Sequence, residues 1–354
     1  MIGQRSKQNK ISKMHRITKY YDTIEKKRIQ CRLCPNNCVI GNEKTGLCKA
    51  RINIDGSLYS VVYGYPCSLN IDPIEKKPLY HYHPGRGILS FGTYGCNLFC
   101  KGCQNFDITR KDASKDTDID DLRYYSPQDI VDMALKNGIR MIAYTYNEPT
   151  IFFEYMIDIA RLAKKCGIKN VIVSNGYINP EPLKELCKYI DAANIDIKGI
   201  TEKFYKEYSR TKLAPVLETV KTLHKEGIWI ELTNLLIPGL NDDAKDIRKL
   251  CEWIKDNVGP DVPLHFSRFY PYHDAADIKP TSPKVIEDAK NIALKTGLRY
   301  VYMGNLGSLG NTYCKKCGKI LIERERNDIH MTGMDGKNKN RCARCKTILP
   351  GIFI

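Results

Sequence analysis

The stretch Gly95-Cys-Asn-Leu-Phe-Cys-Lys-Gly-Cys-Gln-Asn105 carries three cysteines, Cys96, Cys100 and Cys103, in the spacing C-x3-C-x2-C. An iron–sulfur cube is ordinarily held by four thiolates, and this stretch offers only three. A cube on three thiolates leaves one iron open to a ligand that is not protein. A zinc site is the competing interpretation, but the spacing is not that of a usual zinc knuckle, and no histidine within the stretch completes four ligands.

Two further cysteine clusters flank this loop, and they bring the clustered cysteines to eleven of the fifteen in the chain. Such clusters indicate metal binding rather than disulfides in a reducing compartment. The C-terminal set, Cys314, Cys317, Cys342 and Cys345, has the spacing C-x2-C…C-x2-C, which predicts a closed tetrahedral site for zinc or iron. The N-terminal set, Cys31, Cys34, Cys38 and Cys48, leaves three interpretations open: a second cluster, a zinc ion or no metal.

Length and charge set the broad class of the protein. The 354 residues favour about two domains. No apolar run approaches membrane-spanning length and the N-terminus lacks the apolar stretch of a signal peptide, so we predict a cytoplasmic protein. The net charge of +16 is concentrated at the ends, with +7 in residues 1–30 and +6 in residues 312–354. Basic ends suit nucleic acid, but solvated tails are the favoured interpretation.

From about residue 87, apolar strand patterns alternate with helical patterns. The predicted strands are Ile88–Thr93, Met141–Thr145, Val171–Ser174, Ala193–Ile197, Ile228–Leu236, Leu264–Ser267 and Tyr300–Met303. The predicted helices are Pro127–Asn137, Ile151–Cys166, Glu181–Tyr189, Ala214–Glu226, Ala244–Asn257 and Lys284–Thr296. This alternation predicts a parallel sheet with right-handed crossovers, and six or seven units predict a barrel or partial barrel.

Polar residues follow the predicted strands, at the edge that carries the active site in such a barrel. They are Tyr146-Asn147-Glu148-Pro149, Ser174-Asn175-Gly176, Asp196 and Lys198, Asn234 with Pro238-Gly239, and Ser267, Arg268 and Tyr270. Any one of them suits a cap or a turn, but their convergence on one edge indicates a site. We interpret Asp196 and Lys198 as functional rather than as a surface ion pair, because charges beside a buried strand end are unfavourable without a partner.

The stretch from Gly92 to Asn105 resembles the cluster loop of radical SAM enzymes close to pyruvate formate-lyase activating enzymes. The flanking segments resemble the radical SAM protein of the AmmeMemoRadiSam system from about residue 31 to the C-terminus. Those segments are Cys31-Arg-Leu-Cys-Pro-Asn-Asn-Cys38, Gly46-Leu-Cys48, Asp72-Pro-Ile-Glu-Lys-Lys-Pro-Leu-Tyr-His81, His265-Phe-Ser-Arg-Phe269 and the two C-terminal cysteine pairs. The resemblance implies an α/β fold, a partial (β/α)6 TIM-like barrel over residues 81–310. A basic lead-in (1–30) and a Cys-rich module (31–80) would precede it, and a zinc-ribbon or rubredoxin-like knuckle (311–354) would follow.

The resemblance also implies roles for individual residues. Cys96, Cys100 and Cys103 would bind a [4Fe-4S] cluster. Asn147 and Glu148 occupy the place of the Gly-Gly-Glu motif that meets the amino group of S-adenosyl-L-methionine (SAM), although Tyr146-Asn147 replaces Gly-Gly. Ser174, Asn175, Asp196 and Lys198 fall where activating enzymes contact SAM or substrate, with Asp196 and Lys198 as candidate catalytic residues. Ile237-Pro-Gly-Leu240 would meet adenine, and Gly102 stands where the superfamily usually has an aromatic residue beside it.

The function implied is that of a radical SAM enzyme, an oxidoreductase similar to the activating enzymes. The reduced cluster would cleave SAM to methionine and a 5′-deoxyadenosyl radical, which abstracts hydrogen from a protein or small-molecule substrate. The implied partners are an electron donor such as flavodoxin or ferredoxin, together with Memo-like and AMMECR-like proteins. Two alternatives remain, an RNA-modifying radical SAM enzyme and a non-catalytic metal-binding scaffold. The chain has no recognisable RNA-binding module, and a scaffold leaves the polar strand ends unexplained.

Overall fold

The computed structural model describes residues 16–115, 121–307, 310–325, 328–336 and 340–353. The first half of the predicted lead-in, residues 1–15, lies outside the described residues. The chain divides into two compact units. The first unit takes up residues to 70, 89–99 and 105–190, and the second takes up 71–88, 100–104 and the chain from 191 onward.

The N-terminal part of the first unit forms two small antiparallel sheets. One consists of Arg16–Ile17, Ser57–Ser60 and Arg51–Ile54, and the other of Tyr21–Ile24, Arg28–Cys31 and Val39–Ile40. Asp55 and Gly56 join two of these strands with φ values of +53° and +84°. Positive φ at both central residues matches the right-handed twist of the strands that a two-residue turn connects. Asp55 and Gly56 therefore form the two-residue turn of an antiparallel hairpin, in which Ile54 pairs with Ser57.

The rest of the first unit is built on a parallel ladder of three strands. Leu89 in Gly87–Gly92 is level with Ile142 in Met141–Tyr144, and Ile142 is level with Asn170 in Lys169–Ser174. Every residue of Met141–Tyr144 is buried, as expected of a parallel strand covered on both faces. The helices of this unit are Phe106–Thr109, Pro127–Lys136, Phe153–Lys165, which follows a 3₁₀ turn at Pro149–Phe152, and Pro180–Cys187.

The second unit contains a parallel ladder of four strands, Ala192–Asp196, Trp229–Leu236, Leu264–Arg268 and Val301–Gly304. Its long helices are Ala214–Lys225, Ala244–Asn257 and Pro283–Thr296, and its short helical turns are Ile74–Lys76, Glu202–Phe204, Tyr205–Ser209 and His273–Ala275. A further strand, Ser68–Pro73, precedes the turn at Ile74. Among the described helices, none combines the length and the apolar composition that a bilayer crossing requires.

Local signals account for where the elements begin and end. Ser126 and Asp129 form a reciprocal capping box at the start of Pro127–Lys136, and the Asp243 carboxylate accepts the Lys245 N–H at the start of Ala244–Asn257. Gly138 and Gly167 end their helices with a φ of +68°, a conformation that favours glycine. All seven predicted strands and all six predicted helices are confirmed, with ends shifted by two residues or fewer.

The C-terminal segment forms a small antiparallel sheet of Thr312–Tyr313, Ile320–Glu325 and Asp328–His330. It packs against the second unit through one apolar cluster that includes Tyr80, Tyr300, Tyr302, Leu321, Ile322, Met334 and Leu349. Arg324 crosses this cluster, where its guanidinium lies 4.3 Å from the ring centre of Tyr80 and donates to the Tyr80 carbonyl oxygen at 2.7 Å. The segment therefore belongs to the core of the second unit.

A buried polar network also ties this segment to the strands. The Glu231 carboxylate accepts the His81 N–H at 2.7 Å and lies 2.7 Å from Nε2 of His265. The ring of His81 lies 2.7 Å from the Pro350 carbonyl oxygen and 2.6 Å from the Tyr302 hydroxyl. Both ring nitrogens of His81 are therefore engaged by protein atoms.

This network predicts a loss of stability in mild acid. Burial lowers the pKa of His81 from 6.5 to about 4. Between these values the unfolded chain binds a proton that the folded chain does not, so the free energy of unfolding should fall as pH drops from about 6.5 to 4. The loss should reach about 3 kcal/mol and be absent above pH 6.5. Denaturant unfolding of the wild type and His81→Gln over this range tests it, and an equally steep pH dependence in His81→Gln would contradict it.

Candidate active site

Two glycines fix the entry into the loop that carries Cys96. A Cβ on Gly92 would lie 2.5 Å from the Thr145 carbonyl oxygen. Gly95 has a φ of +96°, and a Cβ there would lie 2.3 Å from the carbonyl oxygen of Cys48. Neither position admits a side chain. The loop therefore starts in direct contact with a strand end and with the N-terminal cysteine module.

Asn147 holds the backbone of the same loop. Its Nδ2 donates to the Gly95 carbonyl oxygen at 2.9 Å, and its Oδ1 accepts the Thr93 N–H at 3.3 Å. Both ends of the amide are thus used within the protein. Asn147, predicted to occupy the place of the motif that meets the SAM amino group, contacts the backbone of the cysteine loop, and these contacts are those of a positioning residue.

A second pair of amides surrounds Cys96 itself. Nδ2 of Asn175 donates to Oδ1 of Asn97 at 2.9 Å, and Nδ2 of Asn97 donates to the Tyr177 carbonyl oxygen at 2.8 Å. The Cys96 sulfur lies 3.5 Å from the Leu98 nitrogen and 4.0 Å from Nδ2 of Asn175. Sequence reasoning missed Asn97, because an asparagine between two cysteines has the pattern of an ordinary turn residue. In the structure Asn97 is fully buried.

Glu148 is also fully buried and joins two strand ends. One carboxylate oxygen accepts the Thr150 N–H at 2.9 Å and the Ser174 hydroxyl at 2.8 Å, and the other accepts the Asn175 N–H at 2.8 Å. Burial raises the pKa of Glu148, although these donors act in the opposite direction. The structure therefore joins Glu148, Ser174 and Asn175 in one hydrogen-bonded group of the first unit, while Asn147 binds the backbone of the cysteine loop.

The remaining loop cysteines and the charged pair belong to the second unit. Nζ of Lys198 lies 2.9 Å from the Asp196 carboxylate, and both side chains are partly exposed. Burial by itself would lower the pKa of Lys198. The negative charge of Asp196, that of a Cys100 thiolate and the hydrogen bond to Asp196 outweigh burial and raise that pKa well above its ordinary value. Lys198 is therefore a permanent cation beside Cys100. Burial and the negative charges of Cys100 and Cys103 raise the pKa of Tyr208.

Two side chains that sequence reasoning did not assign hold the backbone at Lys198, and Asn234 holds the residue before it. The Tyr205 hydroxyl accepts the Lys198 N–H at 3.1 Å, and Nδ2 of Asn241 donates to the Lys198 carbonyl oxygen at 2.7 Å. Asn234, predicted only as a polar strand end, donates to the Ile197 carbonyl oxygen at 2.7 Å. Tyr205 opens a π-helical turn, Tyr205–Ser209, a geometry that is rare and frequent at functional sites. The Asp196–Lys198 segment is thus rigidly placed.

The structure explains the glycine at position 102. A Cβ on Gly102 would lie 2.8 Å from the ring of Phe269 and 3.1 Å from the Tyr208 hydroxyl, which also accepts the Gly102 N–H at 3.2 Å. Two aromatic side chains from other elements therefore occupy the space that a side chain at this position would need.

A pocket of about 310 Å³ opens beside Tyr208. Gly239 and Leu240, from the segment predicted to meet adenine, line this pocket. Lys101 of the cysteine loop lines it as well. The other residues that line it are Thr201, Lys203, Phe204, Glu207 and Asp246. The volume lies at the lower end of the range typical of small-molecule sites.

The C-terminal cysteines form a separate cluster. The sulfurs of Cys314, Cys317, Cys342 and Cys345 all lie within 4.8 Å of one another, with Cys314 3.5 Å from Cys345 and Cys317 3.6 Å from Cys342. Thiolates at ~2.3 Å from one tetrahedral zinc ion are separated by just under ~4 Å. Hydrogen bonding with Thr347 lowers the pKa of Cys345 to about 6, which favours the thiolate form that a metal ion binds.

Residues 91–254, which contain the loop, the charged pair and the segment beside the pocket, match the radical SAM superfamily. The uncharacterized protein MJ0808 of Methanocaldococcus jannaschii is 42% identical over 330 residues, covering 92% of this chain and 96% of that protein. The chain belongs to the radical SAM superfamily. It is an enzyme with the α/β fold and partial parallel sheet predicted from the sequence, and its C-terminal cysteine cluster fits a zinc-ribbon-like module.

Characterised relatives of this radical SAM enzyme match a smaller part of it. The pyruvate formate-lyase-activating enzyme of Clostridium pasteurianum is 25% identical over 46% of this chain and 67% of its own length. The 4-hydroxyphenylacetate decarboxylase activating enzyme of Clostridium scatologenes is 24% identical, and the chain spans about half of that enzyme, 53% of its length. A solved domain of a pyruvate-formate lyase-activating enzyme from Bacteroides vulgatus covers 46% of this chain at 20% identity and a TM-score of 0.40.

The ribbon of this radical SAM enzyme supports a prediction on metal content. Changing Cys342 and Cys345 together to serine removes two of four converging sulfurs, so we expect the loss of one metal equivalent per chain. The protein should also unfold at a lower temperature, because metal binding at such sites is coupled to folding. Metal analysis by mass spectrometry, with exposed Cys166→Ser as the control, checks the result. An unchanged metal content would contradict it.

Proposed function

We propose that this chain is an activating-type radical SAM enzyme in which Cys96, Cys100 and Cys103 hold a [4Fe-4S] cluster that binds SAM. The observation that carries the proposal is the presentation of Cys96. Its sulfur faces a backbone N–H and a side-chain amide, and buried asparagines fix the surrounding loop. Hydrogen bonds to a ligand sulfur orient the ligand and tune the metal that it holds. A free thiol in an ordinary loop needs no such arrangement.

The other residues fit the cofactor by charge. When bound, the cluster and SAM supply reductive cleavage of SAM and hydrogen abstraction from a substrate. Lys198 offers a permanent cation for the SAM carboxylate, and Asp196 offers an acceptor for a ribose hydroxyl or a cationic substrate group. Glu148 and Asn147 are fully engaged with the protein, so we assign them the task of holding Asn175, Ser174 and the loop backbone in place.

The pocket beside Tyr208 provides a place for the adenosyl group. Leu240 and Phe204 supply apolar surface, and Tyr208 stacks on Phe204 with ring centres 5.0 Å apart. Lys101, which neighbours Cys100 in the chain, lines the same pocket. Tyr208 thus takes over the aromatic contact that Gly102 lacks.

The partners follow from the chemistry and the family resemblance. Reduction of the cluster requires a one-electron donor, for which we propose a flavodoxin or ferredoxin. The resemblance of the segments around Cys31–Cys38 and Cys314–Cys345 to the AmmeMemoRadiSam protein supports a Memo-like or AMMECR-like protein as substrate or partner. The middle of the chain, which contains the site, is nearly neutral, so we do not expect nucleic acid to bind beside the cluster.

The test is the fate of SAM under anaerobic reduction. Reconstituted protein with a strong one-electron reductant should convert SAM to 5′-deoxyadenosine and methionine, quantified by liquid chromatography and mass spectrometry. Candidate substrates labelled with deuterium should then transfer the label into 5′-deoxyadenosine. If S-adenosylhomocysteine is the only product, the protein is an ordinary methyltransferase and the proposal fails.

A further inference from the structure

The N-terminal cysteines Cys31, Cys34, Cys38 and Cys48 converge on one small pocket of the first unit. Cys31 ends a strand, Cys34 and Cys38 lie in the turn that follows, and Cys48 comes from the next loop. A Cβ on Gly46 would lie 3.9 Å from both the Cys38 and the Cys48 sulfurs, so these two sulfurs are no farther apart than twice that distance. The pocket wall is completed by apolar side chains and Arg51.

Backbone N–H groups face three of these four cysteine sulfurs. The N–H groups of Leu33, Asn36 and Ala50 point at the sulfurs of Cys31, Cys34 and Cys48, each from two residues further along the chain. The same offset recurs where Leu98 faces Cys96 and where Thr347 faces Cys345. Donors aimed at sulfur are a means by which proteins tune iron–sulfur clusters. Inert buried thiols do not require three of them.

The distances between the N-terminal cysteine sulfurs distinguish an iron–sulfur cube from a single zinc ion. Four thiolates on one zinc ion must all lie within ~4 Å of one another, as the C-terminal sulfurs nearly do. Within the described part of the chain, that C-terminal set is the one group of three or more possible ligands whose atoms all lie within 4.8 Å. The N-terminal sulfurs are therefore more widely spread around their pocket. In a cube each thiolate binds a different iron, which separates the sulfurs by roughly 6 Å.

Arg51 supplies a second, independent observation. Its side chain is 1% exposed, and its two Nη atoms bind Glu154 at 3.1 and 2.5 Å. Its buried Nε has no hydrogen-bond partner in the described structure. Arg51 lines the same pocket as the four cysteines. A buried donor without a partner is unfavourable, and an anionic cluster in the adjoining pocket offers both an acceptor and a counter-charge.

We propose that Cys31, Cys34, Cys38 and Cys48 hold a second [4Fe-4S] cluster, fully ligated by protein. It would lie beside the loop of Cys96, because the Cys48 carbonyl oxygen packs on Gly95 and Nδ2 of Asn36 donates to the Asn97 carbonyl oxygen at 2.8 Å. This proposal stands on residues other than those of the proposed SAM site, so the two can fail separately.

Metal analysis of the wild-type protein tests it without any substitution. Anaerobically reconstituted chain should contain about eight iron and eight sulfide ions, apart from one metal ion in the C-terminal ribbon. About four iron ions with a second zinc ion would overturn the proposal in favour of an N-terminal zinc site. About four iron ions without additional zinc would overturn it in favour of free thiols.

Substitutions then assign the iron to its cysteines. With Cys96, Cys100 and Cys103 changed to alanine, the chain should keep about four iron ions, and its reduced electron paramagnetic resonance signal should not respond to SAM. Cys34→Ser with Cys38→Ser should remove the other four and leave a SAM-responsive signal, whereas the control Cys166→Ser should remove none. An iron-free triple variant would overturn the N-terminal cluster. A triple variant that keeps all eight would instead overturn the proposed SAM site.

Discussion

Replacing Cys96 with alanine is expected to abolish reductive cleavage of SAM while the chain remains folded. The rate of 5′-deoxyadenosine formation should fall by about 10³-fold or more, since the cofactor carries the difficult step and loses one of three ligands. The fold should persist because Asn147 holds the backbone at Gly95 and Asn97 remains bound to Tyr177. Anaerobic product analysis and circular dichroism measure the two outcomes.

Cys166→Ala is the matched control, because Cys166 is an exposed cysteine of the same unit that no proposed site includes. Its rate and iron content should equal those of the wild type. If Cys96→Ala cleaves SAM at a similar rate, the loop does not carry the cluster and the assignment of all three ligands fails.

Replacing Lys198 with methionine is expected to weaken the use of SAM by about 10- to 100-fold in kcat/KM, the effect of losing a charge-assisted hydrogen bond of about 1.5–3 kcal/mol. Methionine keeps much of the side-chain volume, and the backbone at this position stays held by Tyr205 and Asn241. The loss should fall mainly on KM for SAM. Lys206→Met, at an exposed lysine nearby, should leave kinetics unchanged.

Asp196→Asn tests the role of Asp196 independently of Lys198. It removes one charge at nearly constant volume and keeps an oxygen within reach of Lys198. Substrate-dependent turnover should decrease while the cluster and SAM cleavage without substrate persist. A larger effect from deleting residues 1–30 than from Asp196→Asn, measured on an RNA substrate, would favour an RNA-modifying enzyme over the function proposed here.

The amino-acid sequence by itself determined the elements of the fold and the groups of cysteines. Strand and helix ends were predictable because their signals are local: Ser126 with Asp129 caps a helix through neighbouring atoms, and Gly138 ends it through its own φ. The polar strand ends were predictable for the same reason, since parallel strands present their carboxyl ends at one edge. The paired spacing of Cys314 to Cys345 likewise anticipated four converging sulfurs.

Only the tertiary structure decided what those residues do to one another. Asn175 reaches Asn97 across 78 positions of sequence, and the Glu148 carboxylate is consumed by Ser174 and Asn175 instead of facing an open site. Phe269 and Tyr208 fill the space beside Gly102, which the sequence shows only as a missing side chain. Hydrogen bonds and packing between distant segments depend on which surfaces the whole chain brings into contact. A local pattern carries no record of that contact, so these partners could not be read from spacing.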